Sequence, residues 1–364
     1  RQHPAIRSSS VCLRRSPVCS MGVQGQAFPT EVPAQPLKKA KTEAAEGDST
    51  RASRTRATAH FLRDDAPFGF AEACETEAKG RQGFEVAKEL MEPQELVLEP
   101  IPADAKLETH GVELLNVKEE LAAAGITEDK CDCTNKEQRI AVGKVLIACA
   151  EARFGPGKRA VHMADTSRVS GATVYSEVTV RDTAVGAKVR AAHHAFHIDK
   201  FLPGVAKFWS HEGTVQGARD FVATYWQHWE KDFADLGVSQ EDTVQCVAAA
   251  KPGLVNLWVS LTPGEIEQQP LAVADRRTLA IGEENIDKIS TVPVTFPQLK
   301  DTLTLLRSNT VPGTRWLWRP NMRFGEVLLF AMTLSPHSAV YLKDTTSEKA
   351  RQSAEMRLFI FDEK

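Results

Sequence analysis

Long apolar runs are missing from this chain of 364 residues. The longest, such as Val327 to Met332, are far shorter than the roughly 20 residues a membrane-spanning helix needs, so no span is predicted. Cysteines are few and badly placed for a disulfide framework. There are seven, scattered from Cys12 to Cys246, and the odd count fits a reducing compartment. We therefore expect an intracellular protein, cytoplasmic or organellar. Cys131-Asp132-Cys133 is a close pair, but no second Cys/His pair stands beside it at zinc spacing. Gly155 to Arg159 lacks the full phosphate-loop pattern and reads as a turn. No internal repeat is visible, and the regular strand–helix alternation of a doubly wound sheet is absent.

An excess of positive charge is missing too, except at the start. Residues 1–60 carry ten Lys/Arg against four Asp/Glu, while the other 304 residues carry 35 against 44. An acidic body argues against nucleic acid as a partner. Residues 1–90 are rich in Ala, Thr, Arg, Gly and Glu without apolar periodicity, which predicts a disordered basic tail. Its first 30 residues have the Arg- and Ser-rich, acid-free composition of a transit peptide. Translated untranslated sequence has that composition as well, with Met21 as the candidate initiator.

What remains, residues 91–364, has ordinary globular composition, 42% hydrophobic and 26% charged for the whole chain. Ala172, Val174, Ser176, Val178 and Val180 alternate with polar neighbours, the pattern of a half-buried strand. Further short strands are expected at 95–98, 243–249, 254–261, 271–274, 315–318, 326–332, 337–342 and 356–361. Helices are expected at 117–124 and, behind a capping box at Thr134-Asn135-Lys136-Glu137, to about Arg153. Ala218, Phe221, Val222, Tyr225 and Trp229 mark an amphipathic helical insertion at about 215–236. Many short strands interrupted by few helices predict a mainly β fold with flanking helices, a jelly roll or cupin-like double-stranded β-helix.

The chemistry centres on His197-Ile198-Asp199. On a strand, residues two apart share a face, so an imidazole and a carboxylate project together. They supply two ligands of a facial Fe(II) triad, which needs one more histidine. His337, in Ser335-Pro336-His337, is the candidate. Fourteen residues later Arg351-Gln352-Ser353 puts a guanidinium and a hydroxyl on one face, and a guanidinium holds a carboxylate bidentately. His-x-Asp, then His, then Arg-x-Ser is the order that Fe(II) with 2-oxoglutarate requires. Arg357 has the same parity and is the alternative anchor. The competing reading of Arg351 is a surface pair with Glu355. Trp316 and Trp318 share a face and either line a pocket or belong to the core. Arg168 and Arg219 are candidates for holding an acidic substrate, with solvated surface as the default.

The second half of the chain also resembles the CmcJ/AsaB-like hydroxylase/desaturase group, which includes fungal gibberellin-desaturase-like proteins. The likeness spans about residues 160–362. It rests on His197-Ile198-Asp199, Val255-Asn256-Leu257-Trp258, Pro270 to Asp275, Arg315 to Trp318, Glu326 to Phe330, Pro336 to Ala339 and Arg351 to Arg357. It implies a non-haem Fe(II), 2-oxoglutarate-dependent dioxygenase that uses O2 to hydroxylate or desaturate a small organic molecule. By position His197, Asp199 and His337 would hold iron and Arg351 would anchor 2-oxoglutarate. Two departures, Lys200-Phe201 after the acid and Val259-Ser260 after Trp258, leave the substrate open. A cupin-type metalloenzyme without 2-oxoglutarate and a non-catalytic jelly-roll binding protein are the alternatives. Oligomeric state is not legible.

Overall fold

The structure, a computed structural model, describes residues 55–65, 91–132, 135–162, 179–182, 197–198, 219, 222–223, 226, 230, 239–249, 254–267, 269–279, 289–296, 299–310, 312–331, 335–343 and 351–362. The strands among them are β1 (Thr55–Leu62), β2 (Met91–Pro100), β3 (Val112–Asn116), β4 (Lys158–His162), β5 (Thr179–Asp182), β6 (His197–Ile198), β7 (Leu254–Ser260) and β8 (Leu271–Ala274). They continue with β9 (Ile289–Phe296), β10 (Leu299–Leu306), β11 (Trp316–Trp318), β12 (Glu326–Ala331), β13 (His337–Ala339), β14 (Tyr341–Leu342) and β15 (Gln352–Asp362). The α-helices are α1 (Leu107–His110), α2 (Lys118–Ala123), α3 (Lys136–Phe154) and α4 (Gln240–Ala249).

Two sheets result. One runs β14-β1-β2-β11-β8-β13-β6-β10-β9, and the other β3-β12-β7-β15, with β4 and β5 both pairing β15 beyond it. From β7 onward the chain passes repeatedly from one sheet to the other, which is the expected jelly roll. The six-stranded sheet is buried on both faces. One parity, including Val255, Leu257, Val259, Val327, Leu329, Met356 and Leu358, packs on Val142, Leu146 and Cys149 of α3. The opposite parity, with Trp258, Leu328, Phe330 and Val112, meets Leu271, Val273 and Leu317 of the nine-stranded sheet. Burial on both sides explains why β7 and β12 read as nearly unbroken apolar runs.

Several local expectations change. β1 lies inside the segment predicted to be disordered, and pairs along its whole length with β2. Its inward residues, Ala57, Ala59 and Phe61, are mostly too small to announce a strand. Residues 243–249 are helical, not extended. Ser239 caps α4, its hydroxyl accepting from the Asp242 N–H at 3.1 Å while the Asp242 carboxylate accepts from the Ser239 N–H at 3.3 Å. That reciprocal cap outweighs the strand preference of Thr243 and Val244. The cap of α3 is Asn135, one residue later than expected, accepting from the Gln138 N–H. Of the helix expected at 215–236, residues 219, 222, 223, 226 and 230 are helical and the others lie outside the described residues. So do the first 30 residues and most of the alternating segment at 172–181.

Candidate active site

In the nine-stranded sheet, β8, β13, β6 and β10 align Val273, His337, His197 and Leu305 as successive cross-strand partners. Residues paired this way share one face of a sheet. Val273 belongs to the core between the sheets, and its partner His337 shares that face. His337 is buried, and its ring tilts against Phe330 of the opposite sheet at 4.6 Å between centroids. Its Nδ1 lies 3.0 Å from the Ser335 carbonyl oxygen. A carbonyl only accepts, so Nδ1 carries the proton and the lone pair falls on Nε2. Metal-binding imidazoles are oriented in this way. Asp199 lies outside the described residues. Among the described residues no three His, Cys, Asp or Glu side chains are grouped to hold a metal.

The facing sheet presents a second polar row. Along β15, Ser353, Glu355 and Arg357 pair with Ser260, Trp258 and Asn256, the parity that faces between the sheets. Arg351, just before the strand, is buried with its guanidinium carbon 5.2 Å from the Trp258 ring centroid. Its Nη1 donates to the Gln269 carbonyl oxygen. The Ser353 hydroxyl is 1% exposed and makes no hydrogen bond among the described residues. Arg357 Nη2 stands 3.2 Å from Glu355 Oε1, and Asn256 Nδ2 donates to the same oxygen at 3.3 Å. The Glu355 carboxylate, expected as a surface partner of Arg351, is thus buried and pairs with Arg357. Sequence reasoning missed this Asn256–Glu355–Arg357 cluster. Its signal was four polar residues of one parity, Arg351, Ser353, Glu355 and Arg357, alternating with Ala354, Met356 and Leu358.

Other candidates sit elsewhere. Trp316 and Trp318 pair with Ala274 and Ala272, on the outer face of the nine-stranded sheet, where they pack on β1 and β2. Arg219 forms a half-exposed pair with Glu241 at 2.8 Å, a solvated surface contact. Arg168 lies outside the described residues. At the end of β8, the buried Asp275 carboxylate accepts from Arg277 Nε at 2.9 Å and Nη2 at 2.7 Å. Burial raises its pKa, but the Arg277 hydrogen bonds and charge, with Arg315 behind, hold it below the ordinary carboxylate value. The Cys149 thiol is pushed up to about 12 by burial, so it packs against α3's neighbours rather than reacting.

A solved structure of an iron and alpha-ketoglutarate-dependent endoperoxidase, NvfI, matches over 86% of this chain and 100% of its own, with a TM-score of 0.50 and 15% identity. A tryptophan-to-phenylalanine variant of it covers the same shares at a TM-score of 0.51 and 17% identity. A third structure of NvfI, in a different conformation, matches at 0.50 and 16% over 86% of this chain and 99% of its own. The fold is shared with that endoperoxidase. A family model described as YDMC, an oxidoreductase/YMDC permease-like domain, matches residues 236–361. That stretch contains α4, β7 to β14 and β15 as far as Phe361, and with them His337, Arg351, Ser353, Glu355 and Arg357 but not His197. No curated protein sequence matches the chain significantly.

Proposed function

We propose that this chain is an Fe(II)- and 2-oxoglutarate-dependent oxygenase acting on a small organic metabolite. His197, Asp199 and His337 are its iron ligands, and Arg351 with Ser353 holds the far carboxylate of 2-oxoglutarate. The observation that carries the reading is the pairing of His197 with His337 on a sheet whose inner face meets that of β15. The donor set fits the group. The proton on His337 Nδ1 leaves Nε2 basic. Ser353 has an unused buried hydroxyl, and an unused buried polar group costs about 1–3 kcal/mol unless a ligand meets it. Arg357 is the weaker anchor because Glu355 already neutralises it.

With iron bound, 2-oxoglutarate and O2 supply an oxidant able to hydroxylate or desaturate an unactivated C–H, giving succinate and CO2. The chain's own work is to orient and exclude. Phe330 fixes the plane of the His337 ring, Trp258 backs the Arg351 guanidinium, and Leu271, Val273 and Leu317 keep the space between the sheets dry. The resemblance to the CmcJ/AsaB-like group supports hydroxylation or desaturation as the outcome.

Anaerobic titration with Fe(II) and 2-oxoglutarate tests the reading. The wild type should develop a weak visible charge-transfer band that needs both components. His337→Ala should lose it, and Arg351→Ala should retain iron but require far more 2-oxoglutarate. A wild type that binds neither component ends the proposal. Retained turnover in Arg351→Ala without 2-oxoglutarate would instead make this a cupin-type metalloenzyme.

A further inference from the structure

Arg276 stands apart from its neighbours. Arg277 is paired with Asp275, Arg315 with Glu99, Arg319 with Glu326, Arg323 with Glu265 and Arg153 with Glu113. The Arg276 guanidinium makes no ion pair and no hydrogen bond among the described residues. It is only partly exposed, and burial alone lowers its pKa from the ordinary arginine value. A charge left half-desolvated with nothing opposite it is a cost to the fold.

Its backbone follows the end of β8 beside which His337 is paired. The β8–β13 ladder that pairs Val273 with His337 continues through the Ala274 N–H, which donates to the Pro336 carbonyl at 2.8 Å. Arg276 follows two residues later, its N–H donating to the His110 carbonyl at 3.0 Å. Its side-chain stem lies along Gly111: a Cβ on that glycine would come 3.1 Å from Arg276 Cβ and 2.6 Å from Ser335 Oγ. Ser335 Oγ in turn donates to the Gly111 carbonyl at 2.8 Å, and the Ser335 carbonyl receives the His337 Nδ1 proton. One chain of contacts thus joins Arg276 to the proposed iron ligand.

We infer that Arg276 receives the carboxylate of the organic substrate at the rim of the space between the sheets, so that the substrate is an acid. This rests on the proposed oxygenase reading. A guanidinium fork is shaped for a carboxylate, and a bound acid would supply the missing counter-charge. Another carboxylate source is 2-oxoglutarate itself, and the test separates the two.

Dodecanoate, abietate and retinoate, each beside its methyl ester, are titrated by calorimetry into the anaerobic Fe(II)/2-oxoglutarate protein. The expected result is that at least one acid binds about tenfold or more tightly than its ester, that Arg276→Gln removes this preference and that Arg276→Lys keeps part of it. The charge-transfer band should be unchanged in both variants, and the melting temperature of Arg276→Gln unchanged or higher. Acids that bind no better than esters, or a preference that survives in Arg276→Gln, overturns the inference. So does loss of the band in Arg276→Gln with iron retained, which would make Arg276 the co-substrate anchor. So does a clear fall in its melting temperature, which would make it structural. If the wild type forms no band, the oxygenase reading falls separately. The same acid–ester comparison on the metal-free protein, wild type against Arg276→Gln, then decides whether the carboxylate site stands.

Discussion

The two faces of the six-stranded sheet are built from the same strands and do different work. Toward α3 the alternate residues Val255, Leu257 and Val259 of β7, Val327, Leu329 and Ala331 of β12, and Ala354, Met356, Leu358 and Ile360 of β15 are apolar and form a closed interface. Toward the other sheet the alternate positions hold Asn256, Trp258, Phe330, Ser353, Glu355 and Arg357, and the opposite wall brings His337. A core position that carries a buried ion pair instead of a leucine gains little stability from it, because desolvation offsets the attraction. Such positions are explained by chemistry, whereas the α3 face is explained by burial. The contrast predicts that substitutions on the two faces separate activity from stability.

The largest effect should come from the inner face. His337→Ala should lower 2-oxoglutarate turnover by more than about a hundredfold, since even residues behind metal ligands cost 10- to 100-fold. Its melting temperature should move little. On the outer face, Leu146→Ala leaves a cavity under α3 and should destabilise by roughly 2–5 kcal/mol in urea unfolding. Turnover per folded molecule should be unchanged. If Leu146→Ala damaged turnover at temperatures where it is fully folded, the two faces would not be independent. Ser353→Ala should be smaller again and of opposite character. Half-saturation by 2-oxoglutarate should rise about tenfold, while stability stays level or improves, because a buried hydroxyl with no internal partner is removed.

The same contrast governs what could be read in advance. Strands β7, β8, β12 and β13 were legible because burial on one or both sides writes them as short apolar runs. β9 was not, because Pro293 interrupts it, and its position at the sheet's edge is where a proline is tolerated. α4 was misread because β-branched residues at 243 and 244 carry a stronger local signal than a two-residue cap. At the site, the residue types and their order could be found, but not the register that sets His197 opposite His337, since nothing local ties positions 140 apart. The pairing of Glu355 with Arg357 was open to a parity argument. Its third member, Asn256, comes from a different strand and needed the sheet order to be seen.

The smallest effect concerns charge at the rim between the sheets, and pH resolves it. The Asp275 carboxylate is held below its ordinary value by Arg277, against the effect of its own burial. A carboxyl whose folded pKa is depressed contributes stability above its unfolded pKa, near 4, and loses it as pH falls through the folded value. Asp275→Asn should therefore be less stable than wild type by about 1 kcal/mol at pH 7, a figure kept small because the Arg277 side chain is 43% exposed. The difference should persist at pH 5 and close below about pH 4, as the wild-type carboxyl takes up its proton. The Leu146→Ala deficit has no titrating partner among the residues it packs against and should hold constant over the same range. A gap for Asp275→Asn that widened toward acid would mean that the carboxyl's pKa is raised in the fold, with burial outweighing Arg277, and the rim of β8 would then be a proton-binding element rather than a fixed ion pair.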